Sequence, residues 1–569
     1  MSSMLKAVSA AVFSLASMGL LFSSASAEAD SNNSSANPQW NLMLVGSELQ
    51  ICSSMNAQHC NSNEWIVAND MRTARLFQLT DVRRREALRQ AIWPRERDGV
   101  REELDIAMRE MVDYFGRGVV PEQRLVERLR SRAYLELVMR LSDAEYNRIL
   151  DNIEMPRLEG LNEVVNLNET KSNSAEFIRN FVAMAEQLKG NATERTDAAN
   201  ILVVTAGERD SFRNIDTYLG AFTQAGANAQ WLPIDIAVTA LQQNGGENAC
   251  RGLESQRREL SGSYDRDRVN PQRHAEQQAF CNDKDAWQAL LANADGVFFT
   301  GGSADKLRRV LLPNGEATPV LRGLRERFDA GNLAVGGAGA GAQALVSANM
   351  ITNGRSGEGM RSGAIASGAP AAGCEFDNTC PRGLNQHSLT YEPLGGVGVY
   401  RIGIVDTDVS MRGRQARMLR VAAETNTPLA MGIDANTAVL MNSRSGVFSV
   451  IGDEGALFLE GAQQVGTMLA ATFHYLRTGS MGRMAGSRVS AVVMAEQPPM
   501  RLETTTNRFL DDTGFYDNFD VVCRGNRQLR LLQSEFQLVL QATDASELEL
   551  SRSRCQVYNG VIGISQVEP

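Results

Sequence analysis

The residues best suited to chemistry surround Leu333-Ala334-Val335-Gly336-Gly337-Ala338-Gly339-Ala340-Gly341-Ala342. The stretch reads as a buried strand running into a turn of glycine and alanine only, then a helix from about Gln343. That is the layout of a nucleophile elbow, where small neighbours let one side chain stand exposed on a sharp strand-to-helix turn. Its apex falls on Gly339, so the turn is kept and the attacking atom is missing. Among nearby hydroxyls, Ser303 beside the Gly301-Gly302 turn is the best substitute, whereas Ser347, about two turns into the expected helix, reads as packing. His387, in the loop at 384–391, could swing toward the site. Serine attacks poorly without an adjacent base.

Such a turn needs a sheet to hold it. Residues 201–207 form a continuous apolar run, as expected of a strand covered on both faces. Further strands are expected at 41–46, 231–236, 296–302 and 333–335, with helices at about 215–225, 306–311 and 321–330. This alternation predicts an α/β fold with a largely parallel sheet and helices on both faces. Sites in such sheets lie beyond the carboxyl ends of the strands, where the Gly-rich turns fall. Two insertions interrupt the pattern. Residues 70–160 are helical and rich in both charges, with a capping box at Ser142 and Glu145 and one apolar face at Tyr134, Leu137, Val138 and Leu141. Its arginines imply either an acidic partner or solvated helices laced by salt bridges. Residues 237–283 form a polar excursion carrying one cysteine couple. From 483 to 569 short strands are expected (489–494, 519–523, 536–540, 561–565), giving a small β-rich extension.

A net charge of −10 argues against general nucleic-acid binding, which needs a basic face. Lys6, the apolar run 7–22 and Ala25-Ser26-Ala27 have the form of a signal peptide cleaved after Ala27, followed by a disordered tail at 28–39. No later segment could span a bilayer, so the mature chain is expected to be periplasmic or extracellular. The eight cysteines fall into local couples: Cys52 with Cys60, Cys250 with Cys281, Cys374 with Cys380, and Cys523 with Cys555. An oxidising compartment makes these disulfides. Zinc spacing is absent, and neither metal nor cofactor is expected.

Four segments in order carry a resemblance. Phe298-Phe299-Thr300-Gly301-Gly302 resembles the F-T-G-G-D-Q turn of cyanophycinases, serine exopeptidases related to aspartyl dipeptidase, and Gly336 to Ala342 resembles their G-G-T-S-A-G-A elbow. Asp406-Thr407-Asp408 through Arg412-Gly413-Arg414 to Arg417 resembles D-Q-H-F-x-x-R-G-R-x-x-R, and Gly432-Ile433-Asp434 resembles G-I-D-E-x-T-A. The resemblance covers roughly residues 41–478, so the family domain is placed at 40–482. It implies a class I glutamine-amidotransferase-like fold and an active site that releases β-aspartyl-arginine from cyanophycin. In the family the elbow serine attacks, a histidine takes its proton, and amides of the Gly turns hold the oxyanion.

Carried across position by position, Gly339 stands at the nucleophile and Asp408 at the base, with Gly302 and Ala340 in the oxyanion turns. The D-Q pair has become Ser303-Ala304, and the first strand's G-G-G reads Gly46-Ser47-Glu48. Loss of the serine or the histidine alone costs about 10⁶ in kcat in subtilisin. Asp406, Arg412 and Arg417 match substrate-pocket positions, and Arg414 keeps the R-G-R spacing. Arginines can grip a carboxylate, and Asp406 and Asp408 could meet a guanidinium; equally, these ions could pair with one another and fix a loop. A calcium site at Asp406-Thr407-Asp408 is weaker, since no ligand series follows. The expectation is a degenerate peptidase that binds an Asp/Arg-rich peptide or polypeptide; the alternative is an active hydrolase with rearranged residues.

Overall fold

The computed structural model describes residues 39–567 except 90–92, 94, 117, 190–197, 247, 498–505, 525–526 and 553. The leader expected at 1–27 lies outside the described residues, as does the tail at 28–39 apart from Gln39. The chain is α/β and divides into two compact units. Of the described residues, those within 47–354 and 365–401 form one, here the elbow unit; those within 39–46, 355–364 and 402–567 form the other, the sheet unit. No helix among the described residues is long and apolar enough to cross a membrane.

The elbow unit holds four parallel strands in the order Ala334–Ala338, Gly296–Phe299, Asn200–Val204, Asn228–Trp231. Val203 lies opposite Phe298, and Phe298 opposite Gly336. Helices Ser174–Leu188 and Ile215–Gln224 bring Phe181 and Phe222 to 5.1 and 5.3 Å from the Phe298 ring. Each such buried ring contributes about 1.5–3 kcal/mol. The strand expected at 231–236 ends earlier, because Asp235 accepts Val238 N–H at 2.9 Å and caps the helix Ile236–Asn244. The segment 237–283 continues as helices Leu253–Ser261 and Pro271–Asn282, and Cys250–Cys281 ties the 3-10 turn Ala249–Gly252 to the second of them.

Helices Asp81–Ala87, Asp98–Phe115, Glu122–Leu129, Leu135–Met139 and Asp143–Ile153 fill most of 70–160 around a core that includes Trp93, Met108, Leu125, Tyr134 and Leu150. The Ser142–Glu145 capping box forms, and Glu145 also receives Arg97 at 2.7 Å. Arg75 meets Glu154 at the same distance. Much of the positive charge is thus answered within the unit.

In the sheet unit Leu42–Val45 runs antiparallel to Thr437–Met441, followed outward by Val447–Gly452, Met481–Ala485 and Arg488–Val493. A second, eight-stranded sheet is mixed. Ile404–Thr407 lies parallel to Leu429–Ile433; beyond it come Gly455–Val465, Met468–Arg477, Arg554–Gln566, Phe536–Gln541 and Gln528–Gln533, all antiparallel. Glu547–Ser551 also pairs with Arg554–Gln566. The expectation of a largely parallel sheet is corrected here: from 437 onward many strands follow one another through turns too short for a parallel crossover. The strand expected at 519–523 is instead a 3-10 turn continuing the helix Gly514–Asn518. Phe519 and Val522, three apart, both face inward, and the Phe519 ring lies 4.5 Å from Tyr475. Among the described residues all four disulfides join the sequence-local couples.

Candidate functional site

The elbow forms. Gly339 follows the strand Ala334–Ala338 and precedes the short helix Ala340–Gln343, at φ +55° and ψ −121°. That backbone costs a residue with a side chain about 1–3 kcal/mol, which glycine avoids. The helix expected from about Gln343 starts earlier and ends there. The carbonyls of Ala344 and Leu345 are taken instead by the amides of Val397 and Val399, at 2.6 and 3.0 Å.

Opposite the elbow stands a carboxylate that sequence reasoning did not assign to the site. Gly302 N–H donates to Glu48 Oε1 at 3.0 Å. A Cβ on Gly301 would collide with that oxygen, and one on Gly339 would lie 3.3 Å from Glu48 Cγ. Glu48 therefore packs against both turns and takes up the Gly302 amide. The one signal was the family's small first turn reading Gly46-Ser47-Glu48. Gly302 itself has φ +103°, and its carbon nestles on Gly207, whose carbonyl accepts Ser303 N–H at 2.9 Å.

Glu48 lines a cavity of about 440 Å³ with His59, Glu208, Asp210, Tyr218 and Gly302. Glu208 accepts from Thr300 Oγ1 at 2.8 Å and Asn214 Nδ2 at 3.0 Å. Burial, with the charges of Glu48 and Asp210, pushes its carboxyl up to about 8 against those hydrogen bonds. Asp210 goes the other way: burial alone would raise it, but Arg266, 2.7 Å away, and Arg209 hold it well below the ordinary carboxylate range. Burial, then Lys171, lowers His59. Glu208 thus holds its proton to a higher pH than an ordinary carboxyl, while Asp210 on the same cavity is kept ionised by Arg266.

Ser303 caps the helix Ala304–Leu311, its Oγ accepting Lys306 N–H at 3.2 Å. No histidine bonds to that hydroxyl among the described residues. His387 is half-buried in its loop, its amide donating to Asn385 Oδ1 at 2.7 Å.

The sheet unit carries the remaining predicted residues. Asp406, at 0% exposure, receives Arg417 Nε and Nη2 at 2.7 and 2.6 Å, a bidentate pair closed off from solvent. Burial alone would raise the Asp406 carboxyl; Arg417 outweighs it and holds the group below its usual range. Arg414 donates to Thr407 O at 2.7 Å. Burial, then Arg417, lowers its guanidinium to about 9. Asp408 has φ +52°, its amide donates to Gly46 O at 2.7 Å, and its carboxylate lies 3.7 Å from Arg412. Of Asp406, Arg412 and Arg417, Arg412 alone is open to solvent, with 62% of its side chain exposed. The motif's Asp434 accepts Tyr475 O–H at 2.5 Å and Ser410 N–H at 2.8 Å, a buried brace. Among the described residues no cluster of ligating side chains could hold a metal.

No protein-family model matches the chain. It is 28% identical over 197 residues to the cyanophycinases of Trichormus variabilis and Nostoc sp., across 33% of this chain and 55% of each relative. The chain therefore spans about half the length of the curated relatives it matches. A crystal structure of a peptidase from an acI-B1 Actinobacterium is 17% identical, with a TM-score of 0.31, over 55% of this chain and 92% of that one. Over a third of its length, then, this α/β chain is similar to cyanophycinases.

Proposed function

We propose that this chain is an exported, cyanophycinase-like pseudo-peptidase of class I glutamine-amidotransferase-like fold, which binds peptides rich in aspartate and arginine without cleaving them. The observation that carries this reading is the elbow itself: Gly339 at the apex, with the Glu48 carboxylate on the Gly302 amide. A turn that lacks an attacking atom but holds a carboxylate has the chemistry of an anion receptor. In this reading an aspartyl or terminal carboxylate of the ligand takes the place of Glu48, with the Gly302 and Ala340 amides as donors. Within the sheet unit, Asp408 stands at the position of the family's base, Asp406 with Arg417 stiffens that loop, and the exposed Arg412 offers a carboxylate grip of its own. The four disulfides accord with export.

A second reading, hydrolysis by rearranged residues, draws on Glu208 and Glu48, a buried acid and a carboxylate sharing one cavity. Free amine is assayed after purified mature protein is incubated with cyanophycin and β-aspartyl-arginine. The binder reading expects none. Turnover abolished by Glu208→Gln, Ser303→Ala or His387→Ala would replace it with the second.

A further inference from the structure

Glu208 and Glu48 both bear on the Gly301-Gly302 turn. The buried Glu208 carboxyl is pinned by Thr300 Oγ1 and Asn214 Nδ2 at 2.8 and 3.0 Å. A Cβ on Gly302 would lie 2.8 Å from Glu208 N, so the turn rests on the Glu208 backbone. Glu48 is exposed and accepts the Gly302 amide at 3.0 Å. Neither carboxyl forms an ion pair among the described residues. The other charged or titratable groups on the cavity leave them so: Arg266 holds Asp210 and Asp151 holds Arg209, each at 2.7 Å, and the exposed Arg213 lies 4.0 Å from Glu122. His59 is half-buried and gives up its proton early, through burial and then Lys171. Burial, then Glu208 and Glu48, keeps the Tyr218 hydroxyl neutral. Two carboxyls that share a cavity without a cation oppose each other's charge.

We propose that the Gly302 amide takes a carboxylate together with the proton on Glu208, so that Glu208 governs how firmly any carboxylate, that of Glu48 or a ligand's, rests on the turn. The ligand half of this inference rests on the reading of the turn as a carboxylate receptor; the Glu48 half does not. Burial first, then the charges of Glu48 and Asp210, push Glu208 up to about 8. Coupling is reciprocal, so the same Glu48 charge is held more weakly once Glu208 ionises. Exchange of Glu48 for a ligand carboxylate leaves that proton in place, and binding to the wild type is independent of pH. A chain without Glu48 instead gains a proton with its ligand.

Carbon NMR of protein labelled at the glutamate Cδ, with Glu208 assigned by its loss in Glu208→Gln, reads the titration midpoint without any ligand. Wild type should titrate at about 8, and Glu48→Gln, which removes only a charge, at a value lower by about 0.5–1. N-acetyl-aspartate, which has no group titrating between about pH 6.5 and about pH 9, is then bound at those two values in calorimetry. Glu48→Ala should lose roughly 3–10-fold in affinity at the higher pH, whereas wild type and Glu48→Ala/Glu208→Gln should not. A Glu208 midpoint unmoved in Glu48→Gln overturns the proposal whatever the ligand does, and so does equal affinity of Glu48→Ala at both pH values. A lowered midpoint with no binding by any variant overturns the ligand half, and the receptor reading with it, while sustaining the Glu48–Glu208 coupling.

Discussion

A serine placed at position 339 would meet two costs at one carbon. It must hold φ near +55°, which costs a residue with a side chain about 1–3 kcal/mol. Its Cβ would also lie 3.2 Å from Glu48 N and 3.3 Å from Glu48 Cγ, so Glu48 must yield by a few tenths of an ångström. The Cγ can rotate away and the backbone nitrogen cannot, which leaves the dihedral as the larger penalty. Gly339→Ser and Gly339→Ala should therefore each destabilise the protein by about 2 kcal/mol. The readout is the urea unfolding midpoint, with the slope unchanged. Adding Glu48→Ala should recover only the contact part, a coupling of about 0.5 kcal/mol. None of these variants should release amine from β-aspartyl-arginine. A Gly339→Ala variant as stable as its parent would refute the backbone assignment, and turnover by Gly339→Ser alone would refute the missing base.

Three further outcomes are expected. Folded Glu208 keeps its proton up to about pH 8, against an ordinary value of 4.5, so its contribution to stability is full below the lower value and is lost as pH rises toward the higher one; Glu208→Gln should flatten that part of the urea-midpoint profile. Arg417→Met strands a buried Asp406 and should cost about 3–5 kcal/mol. Since Asp406 is held below its usual range, the wild-type pair stabilises above that range and fails as pH falls through its folded value; acid unfolding of wild type and Asp406→Asn reads both. Removing Cys250–Cys281, which closes 31 residues, should cost about 3.7 kcal/mol, against about 2.2 for Cys374–Cys380, which closes 6; urea midpoints of the paired alanine variants give the comparison.

What the sequence made legible was local. The apolar run at 201–204 and the glycines at 336–341 announced a strand and a tight turn, because only those residues fit such backbones. The cysteine couples paired as their spacing suggested. Long-range pairing was less visible: strands from 437 onward read as separate short runs, and nothing in them stated which would lie antiparallel to which. Phe519 and Val522 misled because a buried period of three resembles a strand over five residues. Glu48 escaped notice for a similar reason, since its importance comes from lying beside Gly302, 254 residues away in the chain. Glu208 likewise owes its perturbed carboxyl to burial, which no run of neighbours encodes.

Calorimetry with β-aspartyl-arginine, on wild type and Glu48→Ala, bears most directly on the idea that a retained elbow now receives a carboxylate. With its internal competitor gone, the variant should bind roughly tenfold tighter than wild type, and the dipeptide should be recovered intact from both by mass spectrometry. Equal or weaker binding by the variant, or recovery of free arginine from wild type, would contradict it.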